Sequence, residues 1–243
     1  MLTKNQIKLI HSLKQKKFRI SHKMFVVEGV EVVGEFLNSK YELVKVFSCD
    51  EVYRKYGSNF IEVSFEELSK ISNFAAASKV LAIFKIPSSI PVDWTGLVLA
   101  LDSINDPGNL GTIIRLCDWF GINDLVCNET TVDCYNPKVV QSSVGSHTRV
   151  NITYLDLESV LSELKPCYGT FMDGNSVYDH KLSEKGVVVL GNEANGISKE
   201  IEALIDIRLS IPRFGDNKKT ESLNVANAAA IILSEFKRKS TEK

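Results

Sequence analysis

Several residue types and patterns that announce common chemistries are scarce or missing from this 243-residue chain. Its four histidines (His11, His22, His147, His180) show no metal-ligand spacing. Its five cysteines (Cys49, Cys117, Cys127, Cys134, Cys167) contain no C-x-x-C pair. Neither a metal site nor a disulfide framework is expected, and a reducing cytoplasm fits the free thiols. No apolar run approaches the length of a membrane span. The Lys-rich N-terminus lacks the apolar stretch of a signal peptide. There is no G-x-G-x-x-G after a strand, no G-x-x-x-x-G-K-[ST] and no G-x-S-x-G. A dinucleotide fold, a P-loop and a serine-hydrolase elbow are therefore unsupported. Acid is missing locally as well: the first 23 residues carry seven cations and no Asp or Glu.

That local absence sits in a charge asymmetry which the net charge of −1 hides. Residues 1–95 sum to +4 and residues 96–243 to −5. A basic block such as Lys14, Lys16, Lys17, Arg19 and Lys23 either contacts phosphates or forms a solvated helix face. The remainder is ordinary: 44% hydrophobic and 24% charged residues describe a soluble globular protein of one large or two small domains.

The first half reads as a small α/β unit. Residues 3–16 form an amphipathic helix pattern, capped by Thr3 or Asn5, with Ile7, Ile10 and Leu13 on one stripe. Strand patterns at 24–27, 43–47, 61–63 and 80–86 alternate with helical patterns at 30–37, 51–56 and 65–71. The run Ile86-Pro87-Ser88-Ser89-Ile90-Pro91 is the best linker in the chain. Domains are accordingly expected at 1–88 and 96–243, joined by 89–95. Beyond the linker, apolar runs alternate with helices, the pattern of a mostly parallel sheet covered by helices on both faces.

Three strand-end segments in this second half stand out. Asp106-Pro107-Gly108-Asn109-Leu110-Gly111 follows the run 97–101. Gly191-Asn192-Glu193-Ala194-Asn195-Gly196 follows 187–190. Glu221-Ser222-Leu223-Asn224 follows 209–212 and opens an Ala-rich helix. Ligands of open α/β sheets bind at strand carboxyl ends, so three such turns suggest one composite site. Arg115, set among Ile113, Ile114 and Leu116, calls for an anion. That anion is either a structural partner such as Asp118 or Glu193, or a ligand. Gly191 lets a ligand approach the backbone. Capping by Ser222 accounts for the helix start but leaves Asn224 unexplained.

Taken as a set, these residues resemble the three motifs of the SpoU-type (SPOUT superfamily) RNA ribose 2′-O-methyltransferases. The segments are Asn109–Arg115 with Gly121, Leu190–Glu193 with Gly196, and Ile211-Pro212 followed by Ser222-Leu223-Asn224-Val225. The likeness covers residues 96–238. Phe25-Val26-Val27-Glu28-Gly29 is similar to the signature of the substrate-binding domain common in that family, of the ribosomal protein L30e type. The resemblance implies a trefoil knot in the second domain, S-adenosylmethionine as cofactor, a homodimer built through that domain, and structured RNA as substrate, ribosomal RNA ahead of tRNA. It implies functional roles for Arg115, Asn109, Glu193, Ser222 and Asn224. Cofactor contacts are implied near Leu190, Gly191, Asn192, Gly196, Ile211 and Leu223. The chain departs from the family pattern in a longer, basic 213–220 loop and in Ala75-Ala76-Ala77-Ser78 before the last strand of the small domain. A non-catalytic RNA-binding or ribosome-assembly protein on the same fold is the competing expectation.

Overall fold

The computed structural model describes residues 2–215 and 222–238. They fall into two compact units, Met1–Ser89 with Asp133–Thr148, and Ile90–Val132 with Arg149–Lys243. The expected division at the Pro/Ser linker is close, but 96–243 is not one unit. The segment 133–148 packs with the N-terminal residues instead.

In the first unit, helix α1 (Lys4–Ser12) is opened by a capping box between Thr3 and Gln6. The single helix expected over 3–16 stops early, and a second helix, α2 (Lys16–His22), follows it. The reason is Arg19. Its Nη1 donates to the carbonyls of Leu13 and Lys14 at 2.9 and 2.8 Å, so a side chain satisfies the end of α1. The rest of the unit is β1 (Met24–Glu28), α3 (Val30–Leu37), β2 (Leu43–Ser48), a 3₁₀ stretch (Glu51–Asn59), β3 (Phe60–Glu62), α4 (Phe65–Ile71) and β4 (Val80–Lys85). The strands order as β1-β4-β2-β3, antiparallel except for the β2/β3 pair. Phe25 and Val27 of β1 pack with Val33 and Phe36 of α3. Glu28 ends β1 buried, accepting from Ser72 Oγ, the Asn73 amide and the Ser78 amide, and so holds the 72–78 loop.

The segment 133–148 completes this core. Helix α6 (Pro137–Ser143) starts at the Asn136-Pro137 cap and places Val140 in the cluster, while the Tyr135 ring lies 4.6 Å from Phe25. His147 is buried beside Tyr135 and Phe36, its Nδ1 2.9 Å from Ser143 Oγ. Burial pushes its pKa down to about 4.

The second unit is built on β5 (Leu97–Asp102), β6 (Asp124–Cys127), β7 (Asn151–Tyr154), β8 (Cys167–Ser176), β9 (Gly186–Gly191) and β10 (Ile207–Ser210). They form one six-strand sheet, ordered β10-β8-β9-β5-β6-β7, with every neighbouring pair parallel. Helices α7 (Leu157–Leu161) and α8 (Lys199–Glu202) cover the face that carries Val98, Ala100, Val126, Val187 and Val189. Helices α5 (Pro107–Phe120) and α9 (Val225–Arg238) pack on each other, α5 also against β6 and α9 against β9. Both faces are thus covered, which is why β5 and β6 are buried throughout and read as unbroken apolar runs. The chain runs outward from β5 through β6 to β7, then continues on the other side with β8, β9 and β10. The strand order therefore reverses between β5 and β9, and the crevice at their carboxyl ends is where such a sheet takes ligands. Among the described residues no helix is long and apolar enough to cross a membrane.

Candidate active site

Both turns at that reversal are stiff by construction. Asp106 caps α5, accepting from the Asn109 amide at 2.8 Å, and Pro107 occupies the first helical turn. Asn109 is thereby fixed on the first turn of α5. After β9, the chain folds back on itself. Asn192 and Gly196 exchange both backbone hydrogen bonds at 2.9 Å, and Asn192 Oδ1 accepts from the Ala194 and Asn195 amides. A Cβ on Gly191 would lie 2.3 Å from the Gly196 carbonyl carbon and the Ile197 nitrogen. Gly191 is therefore required by the turn's own returning backbone, a constraint the sequence reading did not anticipate. Gly196 has φ +71° with open space where its Cβ would be, so the constraint there is conformational.

The third segment meets the first two. Asn224 Oδ1 accepts from the amides of Ala226 and Asn227, so Asn224, not Ser222, caps α9. Its Nδ2 then donates to Asn109 Oδ1 at 2.9 Å, and Asn109 Nδ2 donates to Glu193 Oε1 at 2.6 Å. The direction of this chain is dictated at both ends. A cap must accept, which turns the Asn224 amide nitrogen toward Asn109. The Glu193 carboxylate accepts likewise, which draws the Asn109 nitrogen to itself. Side chains 84 and 115 positions apart in sequence are thus linked in one line.

Beside this line lies a cavity of about 750 Å³, in the size range of small-molecule sites. Leu190, Gly191, Asn192, Gly196, Ile211 and Leu223 all border it, as do Glu193 and Ser222. Arg213, Phe214 and Gly215 continue its wall, while residues 216–221 of the basic loop lie outside the described residues. Leu190, Leu209, Ile211, Val225 and Ile232 supply apolar walls, and the 191–197 turn supplies backbone groups.

Arg115 is exposed on α5 and makes no ion pair or hydrogen bond among the described residues. Both structural partners considered for it are engaged elsewhere: Asp118 pairs with Arg149, and Glu193 binds Asn109. In the first unit the basic block separates. Lys14, Lys16, Lys17 and Lys23 are exposed. Arg19, by contrast, is 2% exposed and donates from Nε to Asp133 at 2.7 Å. Arg19 is consequently a folding residue that does not face a phosphate, which corrects its place in the expected RNA-binding set. Asp102, at the end of β5, belongs to the surroundings of the site and is absent from the expected set. Its only sequence signal is a carboxylate ending an otherwise apolar strand.

An α/β domain whose three strand-end turns are tied together over one apolar cavity at the point of strand reversal defines a group-transfer enzyme fold of the SPOUT kind. Residues 96–234 match the model of the SpoU rRNA Methylase family, and residues 4–82 match the MRM3-like substrate binding domain. The chain belongs to the SpoU rRNA Methylase family. It is 31% identical over 240 residues to the 23S rRNA (guanosine(2553)-2′-O)-methyltransferase RlmP of Bacillus subtilis, covering 95% of each protein. Among solved structures, a protein of the TrmH family from Porphyromonas gingivalis superposes with a TM-score of 0.89 at 37% identity, over 98% of this chain and 99% of that one. An AdoMet-bound rRNA methyltransferase from Sinorhizobium meliloti superposes with a TM-score of 0.86 at 27% identity, over 98% and 96%.

Proposed function

We propose that this protein transfers a methyl group from S-adenosylmethionine to a ribose 2′-hydroxyl of ribosomal RNA. The observation that carries the proposal is the Asn224–Asn109–Glu193 chain, which unites the three motifs at the rim of one cavity. The lining suits the cofactor: apolar walls from Leu190, Ile211 and Leu223 for the adenosine and the carbon chain of the methionine part, and the backbone of the Gly191–Gly196 turn for its polar groups. Bound there, S-adenosylmethionine supplies a sulfonium methyl already activated for transfer. The protein then has to orient the acceptor and handle the charge that develops on it.

Arg115, exposed and without a protein partner among the described residues, is suited to a phosphate or to the developing oxyanion. It does not serve as a base, because guanidinium stays protonated in proteins. Glu193 holds Asn109 and so sets where the first motif presents its carboxamide to the ribose. Ser222, on the cavity rim, is a hydroxyl-bearing contact for acceptor or cofactor. Lys14, Lys16, Lys17 and Lys23 supply phosphate contacts in the first unit. The trefoil knot, a homodimer through the second unit and a cytoplasmic setting belong to the same proposal.

Isothermal titration with S-adenosylmethionine tests the cofactor, and a map of 2′-O-methyl sites in total RNA with and without the gene tests the substrate. The expected result is binding, and loss of one ribosomal site. No binding at millimolar ligand would favour a non-catalytic RNA-binding protein, and a site lost from tRNA alone would replace the substrate.

A further inference from the structure

Asp102 ends β5 with 2% of its surface exposed, and no cation pairs with it among the described residues. Instead its two oxygens are divided between two turns. Oδ1 accepts from Asn128 Nδ2 at 2.7 Å and from Ser103 Oγ at 3.0 Å, on the side of the β6 turn. Oδ2 accepts from the Ser198 amide at 2.7 Å, on the side of the β9 turn. The neighbouring Ser103, held at φ 63°, turns its carbonyl to Asn192 Nδ2 at 2.7 Å. Asn128 Oδ1 fixes that strained backbone from below, accepting from the Ser103 amide at 2.9 Å. The segment Asn192–Ser198 is thus gripped at both ends, by Ser103 at its start and by Asp102 at its finish. Everything between those grips, from Glu193 to Ile197, borders the cavity.

We infer that Asp102 is a positioning residue for the methyl donor: its carboxylate sets the shape of the Asn192–Ser198 turn that forms the cofactor wall. The inference rests on the cofactor reading given above. A carboxylate is required because both of its oxygens face donors. Asparagine has the same shape but one acceptor oxygen. It must turn its amide either on the Ser198 N–H or on the Asn128 amide group. In either case a half-buried donor loses an acceptor that the carboxylate supplies. A residue that only stabilised the fold would not need to act on this turn. Asp124 provides the comparison. It is likewise buried in the sheet and accepts from Asn151 Nδ2 at 2.7 Å, and neither residue borders the cavity.

The test compares wild type, Asp102→Asn and Asp124→Asn by titration with S-adenosylmethionine, thermal unfolding and methyl-transfer kinetics on the full chain. Asp102→Asn is expected to weaken cofactor binding roughly tenfold, the effect of one donor left without its acceptor in the turn. KM for the cofactor should rise more than kcat falls. Asp124→Asn should lower the melting temperature and leave the cofactor Kd unchanged. Equal Kd for Asp102→Asn and wild type overturns the positioning role alone, whereas a wild type that does not bind removes the cofactor reading and this inference with it. Should Asp102→Asn fail to fold, hydrogen exchange on wild type decides. The Ser198 amide is expected to be protected before cofactor is added, and free exchange there overturns the inference.

Discussion

Arg115 and Arg19 show how little a residue type says without its surroundings. Both are arginines on helices, flanked by apolar neighbours. Arg115 is solvent-facing and makes no ion pair or hydrogen bond among the described residues, while Arg19 is buried against two carbonyls and Asp133. Opposite mutational outcomes follow. Arg115→Ala should abolish methyl transfer while leaving the melting temperature and the cofactor Kd close to wild type. Turnover at the wild-type rate in that variant would refute its role at the acceptor. Arg19→Ala should destabilise the fold by about 3 kcal/mol or more, because Asp133 is left half-buried without its partner, as denaturant unfolding would report. On the proposed reading, RNA contact is assigned instead to the exposed lysines. Replacing Lys16, Lys17 and Lys23 by Ala should make binding less sensitive to salt, by about one unit of log–log slope for each phosphate no longer neutralised. An unchanged slope would leave them as a solvated face.

At the scale of elements, the cap of α9 does two jobs that chemistry can separate. Asn224→Asp keeps an acceptor for the Ala226 and Asn227 amides, and a negative charge suits a helix N-terminus. It removes the side-chain hydrogens that reach Asn109. The variant is expected to unfold at the wild-type temperature and yet lose activity. Asn224→Ala should lose activity and also about 1 kcal/mol of stability. Equal activity in Asn224→Asp and wild type would show that the line through Asn109 is dispensable. What can be read from sequence at this scale follows the same logic. Strands β5 and β9 are legible because both faces are buried and the apolar runs are unbroken. The cavity residues are legible because turn chemistry marks strand ends. The polar end of β8, where Asn175 and Ser176 pair with β10, stays invisible in the sequence, since its order comes from a neighbour and not from its own composition. Helix α2 is hidden by its lysines, and Asp102 by standing just past the end of a run that reads as core. In each case a partner distant in sequence decides the outcome.

For the whole molecule, acid is the revealing variable. His147 has its pKa pushed down to about 4 by burial, against 6.5 when unfolded. The unfolded chain therefore binds a proton between those values that the folded one refuses. The contribution of this site to stability is whole above pH 6.5 and declines as pH falls toward 4, by an amount on the order of 3 kcal/mol. Denaturant unfolding at pH 7 and at about pH 4.5 should show this loss in wild type and a smaller one in His147→Asn. Equal losses in the two would place the acid sensitivity elsewhere.

The excursion of residues 133–148 into the first unit also bears on how the protein is made. Phe25 and Phe36 must wait for Tyr135 and Val140, which leave the ribosome only after β5, α5 and β6 have been synthesised. The N-terminal unit is thus the first to begin, yet it is complete only after the second unit has begun to emerge. No single cut in the gene yields two self-sufficient halves. A fragment ending at residue 89 would expose an aromatic surface with its covering segment missing, and one starting at residue 90 would carry Val140 with nowhere to bury it. For this chain, domain-by-domain expression should give aggregates where the intact polypeptide gives a folded protein.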